Sequence, residues 1–497
     1  MKNNLEVTHP DPVRLRNVLM PHIQSGHWHV SLALTWLYMV HSGGPRLSAL
    51  SIATIRDERF SDIVRLAEGL NQDRVAANID PLLAAAPCHV LTVFDYLLTQ
   101  PRLSLDDEAA PTSSFGVYHR ANEVITLPAA DLAALGIADF HQKVYLVEAS
   151  SFSDRPRSAK QEIHPYHYTP HWWVVPTRLD DKPQGYSLEI GPVTTNLFGA
   201  FARANKTASR LLRVYVGEYI QFPTYVAKWA DGASEKKLWM ATGIRNEQAV
   251  GDEAIEHLRR AKADGADVVV LPELSSSPTM EARIIEWLED ENVRNDEQDH
   301  VIGMVVAGSR HSQTTTSDVF NVSMVFDRSG AEVSPLCQKK LTRVSLPNFR
   351  TGKKDADGKD MTVHVVEDIS TDSRVGLLAS PIGLHANVIC LDLGQSVPTV
   401  KVPLELIPLS WLWVPSLSNN TDAHKKRARE ICLTHPTRIS CANQGPVWFD
   451  ADRAADSESL FKAGCSFALT VDHDGTNEAT AVGNDEAAGW RLFDFKT

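Results

Sequence analysis

The chain lacks most of the features that assign a sequence quickly. Its cysteines, at 88, 337, 390, 432, 441 and 465, form no Cys-x-x-Cys pair. A disulfide framework or a paired-cysteine zinc site is therefore not expected, and reduced intracellular thiols fit better. Basic excess is absent too: 49 Lys and Arg face 62 Asp and Glu, a net charge of −13. A polyanion would be repelled, so no nucleic-acid partner and no anionic-membrane partner is expected. The longest apolar stretch, 28–40, carries His29, Ser31 and Thr35. It falls short of the roughly 20 residues a bilayer span needs, and a buried helix is the better reading. The opening run, Met1 to Val7, is not basic-then-apolar as a secretory signal would be, so a cytoplasmic location is expected. There is no Gly-x-Ser-x-Gly elbow and no glycine-rich phosphate loop. Asp355-Ala356-Asp357-Gly358 starts like a calcium loop but lacks the later ligands, and reads as a turn. No cofactor and no metal is expected.

What is present is a chain of 497 residues, 43% hydrophobic and 22% charged, ample for two to four domains with sizeable cores. Residues 1–230 read as an α+β region of unknown role. Apolar periodicity around 47–70 and 80–99 predicts helices, and an acidic loop follows at Leu105-Asp106-Asp107-Glu108. Short apolar runs at 143–147 and 172–175 predict strands; a helix is expected over about 195–205 and a strand over 211–219. His164, His167 and His171 have a spacing that could chelate zinc on a helix. Pro165 and Pro170 break such a helix, and the flanking tyrosines and tryptophans favour aromatic packing in a strand or loop. His27-Trp28-His29 is a weaker case of the same kind. A polar stretch, Ala230 to Lys237, marks the expected domain boundary, with a second domain over 236–497.

That second part is regular. Strands are predicted at 238–242, 268–271, 301–308, 319–326, 386–391, 409–414, 437–442, 465–471 and 479–482, and one running to Lys340. Helices are predicted at 252–263, 279–290 and 421–434, with a polar insertion at 350–360. The first helix has its stripe at Ala254, Ile255, Leu258 and Ala261 and stops at Gly265. Alternating strands and helices with hairpins imply a layered α/β sandwich with mixed sheets.

Three strand ends carry chemically distinct residues. Glu273 follows Val-Val-Val-Leu-Pro, Lys339 and Lys340 end a hairpin strand, and Cys390 ends the apolar run Ala386 to Ile389. Singly, each has a plain structural explanation: a helix-start acid, a solvated lysine pair, a buried structural thiol. Together they supply a proton acceptor, a cation for a developing oxyanion and a nucleophile at a rigid corner.

These segments resemble the carbon–nitrogen hydrolase (nitrilase) superfamily. Ala266 to Leu274 is similar to its glutamate motif, Gln338 to Thr342 to its lysine motif, and Val388 to Asp392 to its cysteine motif. Trp413 to Ser416, Arg427 to Glu430, Cys441 to Gly445, Ala463 to Ser466 and Asp472 to Gly475 are similar to later segments in the same order. The resemblance implies a four-layer αββα sandwich in the C-terminal half, preceded by the α+β N-terminal domain. It implies Glu273 as base then acid, Cys390 as nucleophile, and a lysine with the Leu391 backbone N–H holding the oxyanion. Lys340 is favoured, because Lys340-Leu341-Thr342 is closer to the family's Lys-x-His, with Lys339 as the alternative one register away. Glu367 is the candidate for the second glutamate that many members carry. Leu391 stands where an aromatic is common, and Cys465 where a His is common.

The expected activity is hydrolysis of a non-peptide carbon–nitrogen bond in a small amide, carbamoyl compound or nitrile. Acyl transfer to an amine is one alternative. The other is a sensing or scaffold protein, since nitrilase-like domains also occur in bacterial multidomain systems, antiviral ones included. The resemblance further implies a homodimer or higher homo-oligomer.

Overall fold

The computed structural model describes residues 12–25, 125–137, 144–148, 172–176, 187–192, 211–219 and, with gaps, 223–496, besides a few isolated positions. The histidine clusters at 27–29 and 164–171, the helices expected at 47–70, 80–99 and 195–205, and Cys465 lie outside the described residues. The chain divides into two compact units, Met1–Arg178 and Leu179–Thr497. In the first, helix α1 (Pro12–Gln24) and helix α2 (Ala129–Leu135) accompany β1 (Ile125–Leu127), β2 (Val144–Glu148) and β3 (Trp172–Pro176). The three strands form one antiparallel sheet. Helix α2 ends on Gly136 at φ 78°, a left-handed stop that a Cβ would penalise.

The second unit begins earlier than the polar stretch at 230–237 suggests. Strands β4 (Ser187–Pro192) and β5 (Leu211–Gly217), read from sequence as part of the N-terminal region, are built into its sheets. The polar stretch instead falls between two antiparallel partners of one sheet, β6 (Tyr225–Asp231) and β7 (Lys237–Ile244). A polar connection within a hairpin and a polar linker look alike in composition, which is why the boundary misled.

Helix α3 (Glu247–Ala263) precedes the buried strand β8 (Val268–Val270), and α4 (Pro278–Trp287) precedes β9 (Met304–Val306). Then come β10 (Arg310–Gln313), β11 (Val319–Ser323), β12 (Val325–Asp327) and β13 (Gln338–Lys339). The segment read as a polar insertion is the tip of a long hairpin, β14 (Ser345–Lys354) and β15 (Asp360–Glu367). After it come β16 (Arg374–Ser380), β17 (Gly383–Asn387), the short helix α5 (Leu391–Gly394), β18 (Leu409–Ser416) and α6 (Asp422–Thr434). The end of the chain supplies β19 (Arg438–Asn443), β20 (Phe467–Asp472), β21 (Gly475–Glu478), β22 (Ala481–Asp485) and β23 (Trp490–Lys496). The hairpin partner of β20 is therefore β21, while residues 481–485 cross to the other large sheet.

Two large mixed sheets form the body, in the orders β12-β9-β8-β5-β23-β22 and β21-β20-β19-β18-β17-β16-β4. One core cluster joins them: Val214, Val216, Val268, Val270 and Val306 from the first meet Leu378, Trp411, Trp413, Ala442 and Ala468 from the second. The alternate residues of the first sheet, Tyr215, Val269 and Val305, turn the other way onto Val250, Ala254, Leu258, Met280 and Ile284 of α3 and α4. Period-two strands and a period-3.6 stripe thus bury opposite faces of one sheet. Helix α6 packs on β20 and β21 of the second sheet.

Two smaller sheets, β10-β11-β13 and β14-β15-β7-β6, complete the unit. The turn at Ser334–Leu336 that leads into β13 lies hard against β16 and β4. A Cβ on Gly376 would sit 1.9 Å from the Pro335 carbonyl oxygen, and one on Gly191 would sit 2.2 Å from the Pro335 ring.

Candidate active site

All four sheets send a residue to one place. Strand β8 ends two residues before Pro272-Glu273, and the Glu273 N–H donates to the Ser416 carbonyl at the end of β18 (3.3 Å). Leu274 follows with φ 53°. Gly308, at φ 77°, allows this corner: a Cβ there would lie 2.2 Å from the Pro272 carbonyl oxygen. From the β10-β11-β13 sheet come three neighbours. His311 pairs with Asn321 across β10 and β11, and Lys340 follows β13 with its N–H on the Asn321 carbonyl (2.8 Å). Glu367 is the last residue of β15.

The two candidate lysines separate by the alternation of side chains along a strand. Lys340 turns inward, is 1% exposed, and its Nζ lies 2.7 Å from Glu273 Oε1 and 2.9 Å from Glu367 Oε2. Lys339 turns away, with its Nζ 4.2 Å above the Phe320 ring. The alternative register is thus not the one that meets the carboxylates.

Two buried carboxylates share one cation here, an arrangement that needs further donors to hold both charges. Asn321 Nδ2 donates to Glu273 Oε1 (2.9 Å) and to Glu367 Oε1 (3.2 Å). The Val344 N–H donates to Glu367 Oε2 (3.0 Å). His311 Nδ1 accepts the Ala241 N–H (2.9 Å), so Nε2 carries the ring proton and donates to Glu367 Oε1 (2.9 Å). Burial works against charge on Glu367, but Lys340 and His311 outweigh it and bring its pKa down to about 2. Burial likewise works against the Lys340 ammonium, and the Glu273 and Glu367 carboxylates overcome it, so the lysine stays protonated. Glu273 takes both of its hydrogen bonds on Oε1, and Oε2 receives none from the described residues.

Cys390 sits past the end of its strand. The apolar run expected to be strand through 391 leaves the ladder at Asn387, although the Val388 and Cys390 N–H groups still reach the Trp413 and Pro415 carbonyls. Cys390 has φ 46°, a conformation costing a non-glycine residue about 1–2 kcal/mol. Three groups touch its sulfur: the Leu417 carbonyl (3.8 Å), Ser416 Oγ (3.5 Å) and His424 Nε2 (3.8 Å). Burial pushes the thiol pKa well up and Glu273 adds to this, with Lys340, Leu417 and Ser416 opposing, so the resting group is the neutral thiol. Leu391 is the first residue of α5, where an N–H has no intrahelical acceptor.

Asp392 locks the cysteine loop to the lysine loop. It accepts from the Leu341 N–H (3.0 Å), the Thr342 N–H (2.9 Å) and the Thr342 hydroxyl (2.6 Å). A small apolar cluster borders the site, in which Tyr225, Trp239, Ala241 and Val365 of the β14-β15-β7-β6 sheet meet Leu274, with Leu417 packed alongside.

No family model matches the sequence, and no curated protein matches it. Solved amidases do resemble the chain. An amidase mutant from Nesterenkonia sp. AN1, carrying the acetamide moiety of fluoroacetamide on its active-site cysteine, aligns with a TM-score of 0.37 at 11% identity. The match covers 57% of this chain and 90% of that one. A second mutant of the same amidase, described as from the nitrilase superfamily, aligns with a TM-score of 0.36 at 11% identity, over 57% of this chain and 91% of that chain. Glutamine-dependent NAD+ synthetase from Acinetobacter baumannii, with bound ADP, gives a TM-score of 0.37 at 16% identity. That match covers 57% of this chain and 45% of the synthetase. These likenesses lie over the C-terminal part of the chain.

The structure thus brings Glu273, Lys340 and Glu367 into direct contact and sets Cys390 within electrostatic reach of Glu273 and Lys340. Sequence reasoning missed His311, Asn321, Asp392, Ser416 and His424 as site residues. Asp392 and Ser416 lie inside motifs already singled out, so a signal for them existed. For Asn321 and the two histidines none did, because their neighbours are supplied by pairing and packing between segments far apart in the chain.

Proposed function

We propose that residues 179–497 form a thiol-dependent hydrolase of non-peptide carbon–nitrogen bonds, acting on a small amide, carbamoyl compound or nitrile. One observation carries this reading: the Lys340 ammonium bridges the Glu273 and Glu367 carboxylates at the same buried site as the thiol of Cys390. A cation held by two carboxylates is preorganised to meet an oxyanion, and a neutral thiol within electrostatic reach of Glu273, whose Oε2 takes no donor among the described residues, has a base available. The helices packed on each large sheet support the four-layer αββα arrangement, with residues before it as a separate domain.

In this mechanism Glu273 Oε2 takes the thiol proton as Cys390 Sγ attacks the substrate carbon. The carbonyl π pair moves to oxygen, between Lys340 Nζ and the Leu391 N–H. Collapse breaks the carbon–nitrogen bond, Glu273 returns the proton to the leaving nitrogen, and the acyl group remains on sulfur as a thioester. Water deprotonated by Glu273 then releases the acid and the thiol. Glu367 does not touch the substrate; with Asn321 it fixes the lysine. The soluble partner is a small molecule, and a cytoplasmic homo-oligomer is the proposed setting.

The test is ammonia or amine release from a panel of amides, carbamoyl compounds, glutamine and nitriles, comparing wild type with Cys390→Ala. Release by wild type that disappears in the variant is expected. If no substrate turns over and intact mass shows no acyl adduct on Cys390, the hydrolase reading fails and the sensing or scaffold reading takes its place. Turnover that appears only when an amine acceptor is added would instead mark acyl transfer.

A further inference from the structure

His424 lies on the first turn of α6 and is 4% exposed. Its Nε2 is 3.8 Å from Cys390 Sγ, and its Nδ1 is buried with no hydrogen-bond partner. Two other buried histidines are bonded at both nitrogens. His257 meets the Tyr215 hydroxyl (2.8 Å) and the Glu218 carbonyl (3.1 Å), and His311 meets the Ala241 N–H and Glu367. A buried imidazole with one nitrogen on a reacting atom and the other left open forgoes a stabilising bond, which points to a role other than packing.

The tautomer follows from the sulfur's other contacts. The thiol has one hydrogen, and the Leu417 carbonyl, an acceptor only, takes it. Ser416 Oγ donates to the sulfur from the β18 end. His424 Nε2 is then also a donor, with the proton on Nε2 and the lone pair on the open Nδ1. Burial first, and Lys340 besides, hold the imidazole below its ordinary pKa, against a hydrogen bond to the Cys390 backbone that raises it, so it is the neutral ring that donates.

We propose that His424 is a further catalytic residue of the site, whose Nε2–H, together with the Ser416 hydroxyl, holds the Cys390 sulfur as a thiolate once its proton has left. The step is a proton transfer alone. The S–H bond breaks, the proton passes to Glu273, the bonding pair stays on sulfur, and the two donors shorten onto it. Without them a new anion would arise within reach of the Glu273 carboxylate, with Lys340 already shared between Glu273 and Glu367. The inference rests on Cys390 being the nucleophile, but its test needs no turnover.

The probe is iodoacetamide, with the rate of alkylation at Cys390 read by peptide mapping from pH 6 to 9.5, so that the other cysteines do not interfere. Wild type, His424→Leu and His424→Gln are compared, since a glutamine amide nitrogen falls near the place of Nε2. His424→Leu is expected to react about tenfold more slowly at pH 7.5, with its profile moved up by about one pH unit, and His424→Gln to recover most of that loss. If the leucine variant does not fold, His424→Asn, too short to reach the sulfur, takes its place against the glutamine variant. Superimposable profiles overturn the proposal, and so does a Cys390 that resists alkylation throughout the range in wild type. A protein that turns over no amide yet shows the His424-dependent profile would sink the hydrolase reading and leave this one standing.

Discussion

The two sides of the site are built differently. On the carboxylate side every contact is short and charge-assisted: Glu273, Glu367, Lys340, Asn321 and His311 meet at 2.7–3.2 Å. On the sulfur side the contacts are long, 3.5–3.8 Å, and made by a hydroxyl, a carbonyl and an imidazole. The first side must hold one cation and two anions out of water, so it tolerates no missing partner. The second holds a neutral thiol, which needs little support until it ionises. Electrostatic groups that should not move during a reaction are fixed, and the one atom that must move toward carbon is left slack. The difference predicts that the two sides fail in different ways.

The largest effect should come from Lys340→Met, which leaves two buried carboxylates facing each other. A loss of about 3–5 kcal/mol in urea unfolding is expected, together with loss of turnover. A variant with wild-type stability would show that the charged side is not the rigid one. Glu367→Gln tests the same side through pH. With a folded pKa near 2, below its unfolded value of about 4.3, Glu367 contributes stability above that unfolded value, and the contribution fades as pH falls toward 2. Stability curves from pH 7 to pH 2 should be visibly flatter on the acid side in the variant. Cys390→Ala probes the slack side. Turnover should vanish while stability changes by no more than about 1 kcal/mol, and a larger drop in Tm would mean the sulfur is structural. Smallest is Lys339→Ala, which removes a cation–π contact with Phe320 worth about 0.5–1 kcal/mol at most and should leave turnover unchanged.

The same contrast explains what could be read before folding. Glu273, Lys340 and Cys390 sit at the ends of segments whose apolar runs and turns are local, so they stand out in the one-dimensional chain. The partners that make them work do not. Asn321 reaches the carboxylates because β11 pairs with β10 and β13, and His311 because it lies opposite Asn321. Glu367 was within reach only as a candidate by position, since 26 residues, most of them in a hairpin, separate it from Lys340. Strand and helix positions in the C-terminal half were largely legible from periodicity. The exceptions were the boundary near 230, where a hairpin connection has the composition of a linker, the β14–β15 hairpin read as a polar insertion, the hairpin partner of β20, the unread strands β10, β16 and β23, and the strand before Cys390, which leaves the ladder at Asn387. Apolar residues continue past that point because the segment stays buried, and burial alone does not reveal where pairing ends.

The packing of Pro335 against Gly376 and Gly191 has a consequence for how this molecule can drift over generations. Both glycines lie on strands of the second large sheet, and they set the height of the turn that feeds into β13 and Lys340. A single added methyl at either one would have to lift that turn, and the ammonium would rise with it relative to Glu273. Neither glycine touches the site, yet each acts as a mechanical stop for the lysine. Substitutions there should register as lost chemistry in an otherwise intact protein, and sequence variation should be narrow at two positions that no list of site residues would contain.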